Sequence, residues 1–241
     1  MKEKILLVGS AGTGKSYDWL KVAETRPQET FYCIDTDDSA ERMLNTEFSH
    51  LRNVEVYPAF DWMGCKNALA LIEKKNIVNS DNWLVIDMLC SVWDYVQAFY
   101  VEQTFGEGID EYFLHVRKAL KKADSSLDAL EGWKDWSVIN KMYQKFINRI
   151  ALILQCNLFF TAKGVPVEKK TSSDIKNLFG AIGIRPEGEK RNIHRVHTVI
   201  VKKQISGESW LATTVKDRGR ERWEDQPIVN FGVQYGAIAG W

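Results

Sequence analysis

Ile5-Leu6-Leu7-Val8-Gly9-Ser10-Ala11-Gly12-Thr13-Gly14-Lys15-Ser16 is the stretch that decides the fold. Its first four residues are an apolar run that reads as a buried parallel strand. From Gly9 to Ser16 the chain matches GxxxxGK[ST] in full. Glycines let such a backbone curl so that successive N–H groups point inward. The residues from Lys15 onward (KSYDWLKVAE) read as a helix with Trp19, Leu20 and Ala23 on one face, and its N-terminal dipole adds to the same point. A plain strand–turn–helix connection needs neither the lysine nor the serine. The pattern is that of a triphosphate cradle. Gly9, Ser10, Ala11, Gly12, Thr13 and Gly14 form its wall, Lys15 sets a cation between the terminal phosphates, and the Ser16 hydroxyl ligates magnesium.

Working outward, Thr30 to Ile34 is a second strand and is followed by the acidic turn Asp35-Thr36-Asp37-Asp38; Ser39 to Leu44 reads as a helical turn. Val54 to Tyr57 is a short strand, Trp62 to Lys75 has helical spacing, and Trp83 to Ile86 is a strand that ends at Asp87. Met88 to Phe105 reads as an aromatic-rich helix. Residues 106–136 are polar, sit between two clear helices and read as a mobile or inserted region. Ser137 to Leu154 carries Ile139, Met142, Tyr143, Phe146 and Ile150 on one helical stripe. Asn157 to Thr161 is a strand and Gly164 to Gly188 a charged loop. The tail reads as β, with His197 to Lys202 and Trp210 to Val215 as strands and turns at Gly207 and Gly219. Alternating strands and helices with buried apolar strands predict one α/β domain over residues 1–241. Its sheet is mainly parallel, is covered by helices on both faces, and is extended by a β-rich C-terminal part with an antiparallel edge.

Asp87 closes a buried strand, where a carboxylate can reach the metal beside a phosphate loop, so Ser16 and Asp87 are the predicted magnesium site. The Asp35–Asp38 turn has two readings on spacing alone: a carboxylate that orients and deprotonates water, or a solvated cap for the helix at Ser39. The guanine pattern Asn-Lys-x-Asp is absent, since Asn140-Lys141 is followed by Tyr143 in place of the aspartate. ATP is therefore the expected nucleotide.

Lysine plus arginine and aspartate plus glutamate both number 32 among 241 residues. This balance excludes a protein coated in positive charge but leaves room for a local basic groove. The four cysteines make no CxxC pair and sit in or beside apolar runs, so they read as reduced and buried, as in the cytoplasm. No run approaches the ~18 apolar residues of a membrane span, so neither a secretory leader nor a membrane partner is expected. The expected location is the cytoplasm, the host's if the chain is viral.

With these motifs in place the chain resembles the RecA-like P-loop ATPases, in particular the small phage-type recombinase and single-strand annealing group. GSAGTGKS, CIDTDD, WLVIDMLCSVW, the helix before NLFFTAKG, and TVKDRGRERW follow in the order that family uses. The resemblance implies that Asp37 is the hydrolytic base, where relatives more often carry glutamate. It also implies that Thr161 and Lys163 are the polar sensor, where relatives show glutamine or histidine, and that Lys216 and Arg218 reach a neighbouring subunit's γ-phosphate. Longer members dock through a segment before the first strand, whereas this sequence opens almost directly on it. A homo-oligomer is implied, as a ring or a partner-dependent assembly. Single-stranded DNA is the implied partner, held by Lys169, Lys170, Lys176, Arg185, Lys190, Arg191 and Arg195, with Phe179 available to stack on a base. The expected function is ATP hydrolysis in phage-type recombination or replication. The alternatives are a small-molecule or nucleotide kinase, whose Arg-rich lid is poorly matched by residues 106–136 with Arg117 alone, and a DNA-translocating motor of the packaging or helicase type.

Overall fold

The computed structural model describes residues 2–75, 77–123, 132–206, 209–219 and 228–240. The first part alternates strand and helix: β1 Lys4–Gly9, α1 Lys15–Thr25, β2 Phe31–Asp35, α2 Ser39–Leu44, β3 Val54–Pro58, α3 Trp62–Glu73, β4 Trp83–Asp87 and α4 Leu89–Phe105. Two helices follow, α5 Ile109–Ala123 and α6 Gly132–Asn148, the latter running into a π-helical turn at Arg149–Ile153. The remainder comprises β5 Asn157–Pro166, α7 Ser173–Phe179, β6 Ile184–Pro186, α8 Asn192–Arg195, β7 Thr198–Ser206, β8 Ser209–Asp217, β9 Ile228–Val229 and α9 Phe231–Ala239.

One sheet collects these strands in the order β3-β2-β4-β5-β1-β7-β8-β9, with the short β6 added on β5. Every pairing from β3 to β7 is parallel. The β7–β8 and β8–β9 pairings are antiparallel, so the tail forms the edge expected of it. β1 lies between β5 and β7, deep in the sheet. Strand side chains alternate between two cores, as the period of two requires. Leu6, Val8, Ile34, Ile86 and Phe160 pack with Trp62, Val92, Ile139 and Tyr143 on the face of α3, α4 and α6. Ile5, Leu7, Phe31, Val85 and Phe159 pack on the other face with Trp19 and Leu20 of α1 and with Phe231 and Tyr235 of α9. This architecture puts the C-terminal ends of β1, β2, β4 and β5 along one rim, where ligands of parallel α/β sheets bind.

Two stretches differ from the sequence reading. Residues 164–188 hold the end of β5, all of α7 and the strand β6. Ile175 and Phe179, four residues apart, anchor α7 in the core at 8% and 0% exposure, with the half-buried Leu178 packed beside them; these three apolar residues make only one helical turn inside a charged stretch, too short a pattern to stand out. Phe179 is accordingly closed to base stacking. The presumed insertion contains α5 and the start of α6, and Tyr112 of α5 packs on Val101 of α4; its residues 124–131 lie outside the described residues, as do Gly207 and the Arg220–Trp223 part of the TVKDRGRERW motif. All four cysteines are free and buried. Among the described residues no helix is long and apolar enough to cross a membrane.

Candidate functional site

The glycine-rich loop leaves β1 and enters α1 through Gly12 and Gly14, with φ of 74° and 72°. These left-handed conformations favour glycine. Thr13 braces the turn, its hydroxyl donating to the Ser10 carbonyl at 2.9 Å. The Lys15 ammonium donates to the same carbonyl at 3.2 Å. No side chain caps the start of α1, so its first amides are left for a ligand, and the helix dipole favours an anion there. A cavity of about 280 Å3 opens at this point, lined by Gly12, Lys15, Ser16, Asp37, Asp87 and Lys163 among others. Burial lowers the Lys15 pKa from the ordinary lysine value, against the opposing pull of Asp87 and Asp37.

Asp87 is fully buried at the end of β4. One carboxylate oxygen accepts from the Thr161 hydroxyl of β5. The other accepts from the Trp19 indole N–H at 2.9 Å and lies 3.5 Å from the Ser39 hydroxyl. Burial pushes its pKa up, and the donors from Thr161, Trp19 and Ser16 resist the shift. The Ser16 and Ser39 hydroxyls are 2.9 Å apart. Thr36 locks the rim between β2 and β4: its hydroxyl donates to the Asp87 carbonyl at 3.0 Å and accepts from the Met88 N–H at 2.7 Å.

The acidic turn after β2 separates its carboxylates by environment. Asp35 is 1% exposed and accepts from the backbone N–H groups of Ala40 at 3.0 Å and Asp37 at 3.3 Å. Burial, with Asp87 and Asp37 nearby, raises its pKa to about 6 despite those two hydrogen bonds. Asp35 therefore holds the start of α2 in place. Asp37 is exposed, faces the cavity and accepts from the Ser39 N–H at 3.3 Å. Asp38 bridges into α2 with φ 60°.

The structure brings together the whole of Gly9–Ser16 with Asp37, Asp87, Thr161 and Lys163. Lys163 forms an ion pair with Glu187 at 3.3 Å. Lys216 and Arg218 are elsewhere. Gly9 is in register with Lys202 of β7, whereas Val199, paired with Lys216, lies toward the other end of that strand. Lys216 donates to the carbonyls of Ile193 and, at 2.8 Å, Val196. Burial lowers its pKa to about 8. Arg218 is exposed.

Sequence reasoning missed Trp19 and Ser39, although Ser16 and Trp19 stand three apart and so share a helix face. It also missed the ion pair between Lys202 of β7 and Asp18 of α1, 2.6 Å apart with side chains 6% and 3% exposed. This pair walls a second cavity of about 610 Å3 that begins at Gly14 and runs between α1, Trp210 and the start of α9. That volume suits a nucleoside-sized ligand. The loop amides and Lys15 can take a polyphosphate, and the hydroxyl and carboxylate oxygens of Ser16 and Asp87 are the hard donors that suit magnesium.

A third cavity, about 260 Å3, lies where β5 extends past the sheet; Lys170, Thr171, Ser172, Arg185 and Lys190 line it, with Glu168 at one side. Arg185 Nε is buried there without a hydrogen-bond partner.

By sequence, neither a protein-family model nor a curated protein matches this chain. By structure the chain is similar to the crystal structure of the RadB recombinase, with 94% of this chain and 86% of that chain covered, a TM-score of 0.53 and 11% identity. A likeness at that identity speaks to architecture, and with the strand order and phosphate loop described above it establishes a RecA-like α/β fold.

Proposed function

We propose that the chain binds ATP with magnesium and hydrolyses it, and that it does so as a homo-oligomer, a ring or a partner-dependent assembly, on single-stranded DNA in phage-type recombination or replication. The observation that carries the ATPase reading is the meeting of an uncapped, glycine-turned helix start with Lys15, Ser16 and the buried Asp87 in one cavity. The loop amides and Lys15 would bind the β- and γ-phosphates, Ser16 and Asp87 would hold the ion, and the cavity beside Gly14 would receive the nucleoside. Bound magnesium supplies positive charge against the phosphate oxygens. Asp37 orients a water and accepts its proton as the oxygen attacks the γ-phosphorus and the bridging bond to ADP breaks.

Thr161 and Lys163 lie on β5, which continues from the phosphate cavity to the basic one through the β5–β6 pairing. A Lys163 that leaves Glu187 for the γ-phosphate would act on the strand that leads to Lys170 and pairs with β6, which carries Arg185. Lys170, Arg185 and Lys190 supply the DNA phosphate contacts. Arg218, exposed and remote from its own phosphate loop, is the cation offered to a neighbouring subunit. Lys216, engaged by two carbonyls of α8 and its C-cap, ties that helix to β8.

The test is phosphate release from ATP with and without single-stranded DNA, beside Lys15→Ala. Release in water alone, stimulated by DNA and lost in the variant, supports the reading. A requirement for a phosphoryl acceptor would replace it with a kinase.

A further inference from the structure

The Ser39 hydroxyl has hydrogen-bond partners that its own helix does not explain. They are Ser16 and Asp87, 23 and 48 residues away in sequence. We propose that Ser39 is a further magnesium ligand beside Ser16 and Asp87, with its proton given to Asp87; the assignment rests on the MgATP reading above. A hydroxyl has one proton and two lone pairs. With Thr161 on one oxygen of Asp87 and the Trp19 indole on the other, Asp87 is already heavily engaged. Ser39, 3.5 Å from the second oxygen, can give its proton to Asp87 and turn its lone pairs toward Ser16.

The spacing agrees. Adjacent ligands of an octahedral magnesium at about 2.0–2.1 Å stand √2 times that distance apart, about 2.9 Å. The Ser16 and Ser39 oxygens are 2.9 Å apart. Without the ion they form a hydrogen bond; with it, the same spacing is one edge of its coordination shell. The position of Ser39 is also held. Its N–H donates to Asp37, and Asp35 holds both Asp37 and Ala40 by their backbone N–H groups. The hydroxyl is thereby presented from a braced turn, as a preorganised ligand must be.

The experiment measures affinity for a fluorescent ATP analogue as magnesium is titrated, and again in EDTA, for the wild-type chain and for Ser39→Ala, Ser39→Thr and Ser39→Cys. Ser39→Ala is expected to raise the magnesium concentration for half-maximal tightening by about 10–100-fold, with affinity in EDTA unchanged. Ser39→Thr, which keeps the hydroxyl, restores the wild-type curve. Ser39→Cys resembles Ser39→Ala in magnesium but recovers in cadmium, a softer ion that accepts thiolate; the four native cysteines are buried and add little background. A structural role for Ser39 would not produce this metal-selective rescue. The assignment is overturned if Ser39→Ala follows the wild-type magnesium curve, or if Ser39→Cys keeps the same deficit in every metal. A wild-type chain that binds no nucleotide in either condition overturns the MgATP reading and this assignment with it, whereas metal-tightened binding unaffected by Ser39→Ala overturns the assignment alone.

Discussion

Replacing Lys202 with methionine isolates a buried charge next to the phosphate loop. The Lys202 ammonium lies 2.6 Å from Asp18, with side chains 6% and 3% exposed, and methionine fills a similar volume without the charge. The aspartate then stands alone in the interior. Breaking a buried pair in this way costs about 3–5 kcal/mol. With a urea m-value of about 2 kcal/mol/M, the unfolding midpoint should fall by about 1.5–2.5 M. The loss also has a pH signature. Burial raises the Asp18 pKa to about 6 even with Lys202 opposing the shift. The folded chain therefore holds this proton to higher pH than the unfolded chain, whose carboxyl titrates near ~3.9, so the protonation of Asp18 contributes stability that is fully present below that value and is lost as pH rises to about 6. Without Lys202 the folded pKa rises further and the decline extends to higher pH. The deficit of Lys202→Met should be greatest above neutrality and shrink toward about pH 4. Adding Asp18→Asn should recover most of it, since no charge is then buried. Urea titrations of wild type, single and double variants at several pH values test this. A Lys202→Met midpoint equal to wild type at alkaline pH, or a deficit independent of pH, would refute the reasoning.

A Cβ at Gly232 would stand 2.6 Å from the Asp18 carbonyl and 2.8 Å from Lys21 Cβ; Gly232→Ala should force α9 off α1 and destabilise the chain by about 1–3 kcal/mol in urea unfolding. Asp37→Asn should lower turnover by about 10²-fold or more while ATP affinity, read by fluorescence, holds, because the amide cannot accept the water's proton. Replacing Lys170, Arg185 and Lys190 together with alanine should weaken single-stranded DNA binding. It should also flatten the slope of log affinity against log salt by about 2, three contacts at ~0.7 each.

The strand–loop–helix unit around the glycine-rich turn was legible in the sequence because its parts are local. A strand, a glycine-rich turn and a helix start lie within a dozen consecutive residues, and each obeys backbone rules that residue type alone expresses. The same holds for the parallel strands, since β1, β2 and β4 are buried on both faces and read as unbroken apolar runs. The end of β4 at Asp87 was legible for the same reason, as the first polar residue after such a run. α7 was illegible because its apolar face, Ile175, Leu178 and Phe179, spans a single turn inside a charged stretch. Tertiary structure alone decided which acids of the Asp35–Asp38 turn brace the backbone and which faces the cavity. It alone brought Ser39 to Ser16, and paired Lys202 with Asp18 across 184 residues. It also set Lys216 and Arg218 away from their own phosphate loop, because β8 runs antiparallel to β7 and carries its C-terminal residues to the far end. Local backbone preference is written in neighbouring residues, whereas which distant side chains meet depends on strand order and register, which no local pattern encodes.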